Sequence, residues 1–327
     1  MRIAIVRLSA IGDIIQSMIV VQFIKERYQN CEIHWFVDTK FYDLVHEGFS
    51  IDKTIPISLS AIKKSKNPFA LINLFINLRK LKEYDYVFDL QGLIKSALIS
   101  KFIPSSYTVG FSKDSIRESF AACFYNLTHQ IPYEENVVER YVELVNKTLD
   151  LNVSKNDILR KNKLFKTNNL NKKSRLRVIF ISGASFKSKI YPLKKYELLV
   201  NNIDADFLCL WGSDSELIES NDFAKNNFKV MVSKKTTLND LIQIINSADL
   251  VIGGDTGPTH LAWALNIPSI TLFGSTSGLR NMFETKINLK IESNSEVSCK
   301  KINKKDFSIS EIDPEQILEK ARILLEI

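Results

Sequence analysis

The chain has 327 residues, 45% hydrophobic and 25% charged, with a net charge of +7 and a pI near 9.0. That length allows two separately cored domains, and the composition excludes a disordered or fibrous protein. The cationic balance favours anionic partners without choosing between a nucleotide, an acidic sugar, an anionic membrane and nucleic acid. Cys31, Cys123, Cys209 and Cys299 are scattered with no C-x-x-C pair. This argues against a disulfide framework or zinc ribbon and fits a reducing compartment. His34, His46, His129 and His260 show no metal-site spacing. The opening MRIAIVRLSAIGD reads as a strand and turn rather than a signal peptide. No run of about 18 apolar residues offers a membrane span, so a cytoplasmic location is expected.

Apolar runs of strand length alternate with amphipathic segments of helix length, the pattern of a parallel-sheet α/β protein. In the first half Arg2–Leu8, Glu32–Val37, Tyr86–Leu90 and Tyr107–Gly110 read as strands, with helices near Ile14–Tyr28 and Phe69–Leu81. A second series reads as strands at Arg177–Ser182, Asp206–Leu210, Leu250–Gly253 and Ser269–Phe273. Its helices fall near Lys194–Asn201, Glu216–Asn226 and Leu238–Ser247, and a last helix, Pro314 to Leu325, follows Asp313 as N-cap. Between the two series lies Leu151–Lys173, with Lys155, Arg160, Lys161, Lys163, Lys166, Lys172 and Lys173 among many asparagines. Its low hydrophobicity reads as a solvated linker or a loosely packed connection. A nucleic-acid-binding arm is the sharper alternative, disfavoured by sparse aromatics and the lack of a recognised module.

The most informative stretch runs Leu250-Val251-Ile252-Gly253-Gly254-Asp255-Thr256-Gly257-Pro258-Thr259-His260-Leu261. It reads as a buried strand, a two-glycine turn and a helix begun by Pro258. The N–H groups of Thr256 and Gly257 would face an anion at the positive end of the helix dipole. The plainer reading is a strand-to-helix turn with Thr256 as N-cap. The first strand ends in Leu8-Ser9-Ala10-Ile11-Gly12-Asp13, which lacks G-x-G-x-x-G and removes the main support for a nicotinamide or flavin dehydrogenase. Asp13 either points a carboxylate into a ligand crevice or complements the start of a helix. Ser182–Pro192 combines small residues with lysines, which suits phosphate but lacks P-loop spacing; a solvated basic loop is the alternative. Glu216 could accept from ribose hydroxyls or close a capping box with Ser213. Taken together, these residues suit a nucleotide held mainly by the second unit, with a reactive carboxylate supplied by the first.

RLSAIGD (Arg7–Asp13), DLQGLIKSA (Asp89–Ala97), Lys189–Pro192, Trp211–Glu216 and GGDTGPTHLAWAL (Gly253–Leu265) occur in this order over nearly the whole chain. Together they resemble the lipopolysaccharide heptosyltransferases, in particular the type I group. The resemblance implies an α/β GT-B fold: two Rossmann-like, doubly wound parallel-sheet domains facing across a cleft. An acceptor-binding domain would span 1–155 and a nucleotide-sugar-binding domain 174–312, with a helix in 313–327 packing back on the first. It further implies inverting, metal-independent transfer of heptose from ADP-heptose to Kdo of Kdo2–lipid A in inner-core synthesis, without a cofactor. The enzyme would sit peripherally on the inner face of the cytoplasmic membrane and bind no nucleic acid.

By the same resemblance, Asp13 is the general base and Lys189 stabilises the leaving diphosphate. Ser185, Glu216, Asp255, Thr256, Gly257 and His260 bind the donor. Ser9, Gly12, Lys63, Lys64 and Arg117 bind the acceptor, with Lys66 and Lys113 in the same basic regions. Three departures stand out: Ala184 where a hydroxyl is common, Thr236-Thr237 where an apolar adenine contact is common, and Pro258-Thr259 inside the main motif. The alternatives are a heptosyltransferase acting on a later core acceptor or another nucleotide sugar, and a nucleotide-binding protein without transferase activity. Retention of both Asp13 and Lys189 weighs against the last.

Overall fold

Each half of the alternating pattern builds its own parallel sheet. The computed structural model describes every residue except Lys66 and 169–174, and only the backbone of Lys63 and Ser65. The chain divides into two units, Met1–Leu164 and Phe165–Ile327.

In the first unit the strands are β1 (Arg2–Val6), β2 (Glu32–Asp38), β3 (Lys53–Ile57), β4 (Tyr84–Asp89), β5 (Ser105–Phe111) and β6 (Leu127–His129), in the order β3-β2-β1-β4-β5-β6. In the second they are β7 (Leu176–Ile181), β8 (Ala205–Leu210), β9 (Val230–Val232), β10 (Leu250–Gly254), β11 (Ser269–Phe273) and β12 (Asn288–Glu292), in the order β12-β11-β10-β7-β8-β9. Every pairing is parallel. The two orders are the same winding: the opening strand of each unit lies beside its fourth, and the chain reverses direction across the sheet between them. Val6 pairs with Asp89 across β1 and β4, and Phe180 with Ile252 across β7 and β10, so the carboxyl ends of these central strands lie side by side. Such a reversal point is where open α/β sheets take their ligands.

Burial follows the strand sequences. Ile3–Val6, Val178–Phe180 and Leu250–Ile252 are continuous apolar runs, fully buried because helices cover both faces of a parallel sheet. The last helix, Pro314–Leu325, is capped by Asp313, whose carboxylate accepts from the Glu315 N–H at 3.0 Å. Ile317, Leu318, Ala321 and Leu325 share one face of it. They enter the second unit's own core with Val178, Phe207 and Leu250, and the helix packs on Glu197–Asn202. Its apolar stripe is thus buried within the second unit.

The basic segment after Leu151 is also more ordered than its composition implies. Ser154 caps a short helix, Lys155–Leu159, and Ile158, Lys161, Leu164 and Phe165 are buried. The Phe49 N–H bonds the Leu164 carbonyl at 2.8 Å, and Asn162 N–H reaches Gln22 at 3.0 Å. Single apolar residues spaced along a polar stretch anchor it without producing an apolar run. Lys172 and Lys173 lie outside the described residues. Among the described residues no helix is long and apolar enough to cross a membrane.

Candidate active site

In the first unit the site grows from the end of β1. Arg7 follows the last strand residue and is drawn inward: its Nη1 donates to the Leu90 carbonyl at 2.7 Å, and its guanidinium lies 5.4 Å from the Tyr141 ring centroid. Nη2 pairs with Asp13 Oδ2 at 2.7 Å. Burial works against the Arg7 charge, but Asp13, Tyr141 and Asp89 together outweigh it and the guanidinium titrates above its usual range. Asp13 lies in the first turn of the helix Ile11–Ser17, with its side chain 41% exposed. Its Oδ2 faces the buried arginine, while Oδ1 has no hydrogen bond among the described residues. The result is a carboxylate fixed on one side and open on the other.

The end of β4 completes this cluster. Asp89 is fully buried and accepts from the N–H groups of Gln91 (2.8 Å) and Gly92 (3.1 Å) and from the Tyr125 hydroxyl (2.7 Å). Gly92 takes φ +67°, a left-handed turn that a side chain resists. The turn carries Gln91 and Lys95 back to β1. Gln91 Oε1 accepts from the Leu8 N–H at 2.9 Å, and its amide donates to Ser9 Oγ at 3.3 Å. Lys95 Nζ donates to the same hydroxyl at 3.0 Å. Partial burial, then the nearby Arg7 charge, pushes the Lys95 ammonium down.

In the second unit the turn after β7 meets the turn after β10. Gly253 and Gly254 belong to β10 itself rather than to a turn. A Cβ on Gly254 would collide with the Lys189 carbonyl, and one on Gly253 would lie 2.6 Å from Ile181 Cβ. The missing side chain of Gly254 lets the main chain at Lys189 rest directly on the strand, and that of Gly253 makes room for Ile181. There the Lys189 ammonium meets Asp255 Oδ2 at 2.7 Å and the Asp255 carbonyl at 3.2 Å. Asp255 also accepts from His260 Nε2 on Oδ1 (2.9 Å), and from Thr276 Oγ1 (2.9 Å) and Asn281 Nδ2 (3.2 Å) on Oδ2. The side chains of Lys189 and Asp255 are 12% and 6% exposed. Burial alone would raise the Asp255 carboxyl, but the Lys189 charge and the His260 bond hold it well below the usual carboxylate range.

The helix Gly257–Ala264 starts one residue earlier than the sequence suggests, which makes Pro258 its second residue. Thr256 is the N-cap position but does not cap with its side chain. Instead Thr259 Oγ1 donates to the Gly254 and Thr256 carbonyls, both at 2.8 Å, and accepts the Thr256 N–H at 3.3 Å. So the Thr256 N–H, expected to be free for an anion, is already engaged. What remain among the described residues are the buried Thr256 hydroxyl, without a partner, and the buried Gly257 N–H. Thr259, notable in the sequence only as a departure within the main motif, does the capping.

The other expected residues separate. Glu216 closes the capping box: Oε2 accepts from the N–H groups of Gly212 (2.7 Å) and Ser213 (3.1 Å) at the start of the helix Asp214–Lys225. Its carboxylate lies against Gly183, where a Cβ would collide with it. Ser185 is exposed in the loop after β7, while Ser188 nearby is buried and bonded by Ser275 at 3.1 Å. Thr237 caps the helix Leu238–Asn246 through Asp240. Gly12 sits beside Asp13 in the same helix turn. Lys64 is exposed in the helix Leu59–Ser65, and Arg117 is exposed after β5. Lys63 belongs to that same helix, but its side chain, like all of Lys66, lies outside the described residues. Gln91, Lys95, Thr276 and Asn281 were not picked out. For the first two the signal lay in DLQGLIKSA; Thr276 and Asn281 follow β11 in a stretch with no distinctive pattern.

Doubly wound sheets of this kind, with polar clusters at their reversal points, are those of a GT-B glycosyltransferase. The model of glycosyltransferase family 9 (heptosyltransferase) matches residues 73–311, and the chain belongs to that family and is a glycosyltransferase. It is 39% identical to lipopolysaccharide heptosyltransferase 1 of Campylobacter coli, across 98% of this chain and 97% of that protein. It is 28% identical to lipopolysaccharide heptosyltransferase 1 of Salmonella typhimurium, across 84% of this chain and 89% of that one. The solved structure of E. coli heptosyltransferase WaaC with ADP shares the fold, with a TM-score of 0.81 at 22% identity over 99% of this chain and 100% of that one.

Proposed function

We propose that the protein transfers L-glycero-D-manno-heptose from ADP-heptose to a Kdo residue of Kdo2–lipid A, with inversion and without a metal ion. The relatives named lipopolysaccharide heptosyltransferase 1 support the reaction class, and WaaC has been solved with ADP-2-deoxy-2-fluoro heptose. The observation that carries the donor half is the pair of unpartnered donors at Thr256 and Gly257, one and two residues from the carbonyl that Lys189 bonds. Buried donors at a helix start, beside a partly buried ammonium, suit the two negative charges of a diphosphate.

The acceptor half rests on Asp13. Its Oδ1 takes the proton of the acceptor hydroxyl as that oxygen bonds the anomeric carbon; the bond from that carbon to the diphosphate breaks and ADP leaves. A single displacement by one base inverts the anomeric centre. Lys189 and the helix start meet the charge that develops on the leaving group, which is the work a metal ion would otherwise do. Ser185, Glu216 and His260 complete the donor site in this reading, and Ser9, Gly12, Lys63, Lys64 and Arg117 meet the acidic acceptor. Such an acceptor places the enzyme at the inner face of the cytoplasmic membrane. The test is incubation with ADP-heptose and Kdo2–lipid A. Free ADP and a heptose-sized mass gain on the lipid are expected, and their absence would overturn the assignment.

A further inference from the structure

The helix Pro68–Arg79 is apolar on two opposite faces, and among the described residues only one of them is covered. Leu74, Phe75 and Leu78 point inward, against a core that includes Leu8, Phe36, Tyr84 and Ile99, and Phe75 stacks on Phe102 at 4.2 Å. Phe69, Ile72 and Ile76 follow at helical spacing on the other side and are 72%, 52% and 47% exposed. A helix apolar all round is ordinarily buried all round. Here the outer stripe runs on to Lys80, which is exposed.

Charge says what covers it. From Leu59 to Lys82 the sequence holds six cations, Lys63, Lys64, Lys66, Arg79, Lys80 and Lys82, and no aspartate or glutamate. Lys64, Arg79, Lys80 and Lys82 are exposed. A second copy docking through the same face would set these cations against their own counterparts, because a two-fold interface is self-complementary. An anionic lipid surface answers both features. Its headgroups meet the lysines and its acyl boundary receives the apolar stripe, and reversible membrane binding takes such paired signals. At 12 residues the helix is too short to span a bilayer and lies along it.

We propose that the outer face of Pro68–Arg79, with exposed Lys64, Lys80 and Lys82 beside it, is the surface by which this protein docks on anionic bilayers. The proposal deepens the membrane-facing part of the function proposed above, but its test needs no sugar chemistry. The full chain is co-sedimented with vesicles of phosphatidylcholine alone and of phosphatidylcholine mixed with phosphatidylglycerol. Binding is expected to the mixed vesicles only and to weaken with added salt. The triple variant Phe69→Ser, Ile72→Asn, Ile76→Ser is expected to lose about tenfold or more of that binding, with its circular-dichroism melt unchanged. Phe69→Ser alone, at the most exposed position, and the pair Lys80→Gln, Lys82→Gln should each lose a smaller part. Wild-type protein that ignores the anionic vesicles overturns the proposal, as do variants that bind them equally well. So does a dimer in size-exclusion chromatography that the triple variant abolishes while vesicle binding is absent. Vesicle binding without heptose transfer would remove the donor and acceptor proposed above and leave this proposal standing.

Discussion

Asp255 holds Lys189 twice, through its carboxylate at 2.7 Å and through its own carbonyl at 3.2 Å. The ammonium is thereby fixed where the helix Gly257–Ala264 begins. Removing one partner of a buried pair leaves the other charge uncompensated, a loss of about 3–5 kcal/mol. Asp255→Ala is therefore expected to destabilise strongly in urea denaturation. Lys189→Met together with Asp255→Ala should cost less than the two single losses added. The carboxyl is depressed in the folded protein, so the unfolded chain takes up the proton first as pH falls. The stabilisation is complete above the unfolded value, about 3.9, and declines below it. Asp255→Asn should lose that acid dependence, and an unchanged acid profile would contradict the pairing.

Asp13 has one oxygen committed to Arg7 and one open. Asp13→Asn keeps the shape and removes the base. Turnover is expected to fall by about 10²–10⁴-fold, with ADP-heptose affinity nearly unchanged in calorimetry. Near-normal turnover would remove the base role. Arg7→Met should lower kcat more than it alters KM, because it releases the orientation of Asp13 without touching the donor.

Gly183 and Glu216 compete for one space. Gly183→Ala places a methyl where the Glu216 carboxylate now sits, and so displaces the box that caps Asp214–Lys225. Loss of such a cap costs about 1 kcal/mol. Glu216→Ala should cost a similar amount, and the double variant little more than either alone. Additive losses in thermal melts would show that the two act separately. If Glu216 also holds ribose, its variant alone should raise KM for the donor.

Burial pushes the Lys161 ammonium down to about 7. In the unfolded chain a lysine titrates near 10.4, roughly. Between those values the unfolded chain holds a proton that the folded chain has released, so stability should rise with pH across that window. Lys161→Met is expected to flatten the rise in urea midpoints. Equal slopes in both proteins would show that the buried amine keeps its charge.

Central strands were legible in the sequence and edges were not. β1, β2, β4, β7, β8, β10 and β11 all follow from apolar runs, and β5 from Tyr107–Gly110. The four strands with no sequence signal are β3, β6, β9 and β12, which are the four sheet edges. Edge strands are short, half-exposed and polar. β3 carries Pro56, β6 is only Leu127-Thr128-His129, and β12 mixes Asn288, Lys290 and Glu292 with its apolar residues. The Glu216 box was readable because capping is local. The partners of Asp255 were not: Thr276 and Asn281 come from 21 and 26 residues further along the chain, and only the sheet brings them to it.

The absent side chains of Gly253 and Gly254 have a consequence for how freely the facing loop can drift in sequence. At Gly254 the Lys189 carbonyl rests directly on β10, so there main chain sets the height of the loop, while the exposed side chains of the loop have no part in it. Ala184 in place of a hydroxyl is then a tolerable change, as is the exposure of Ser185. An added methyl on the strand beneath is not. Variation should accumulate in the loop and stop at the two glycines, and grafting this loop between relatives should succeed wherever both glycines are kept.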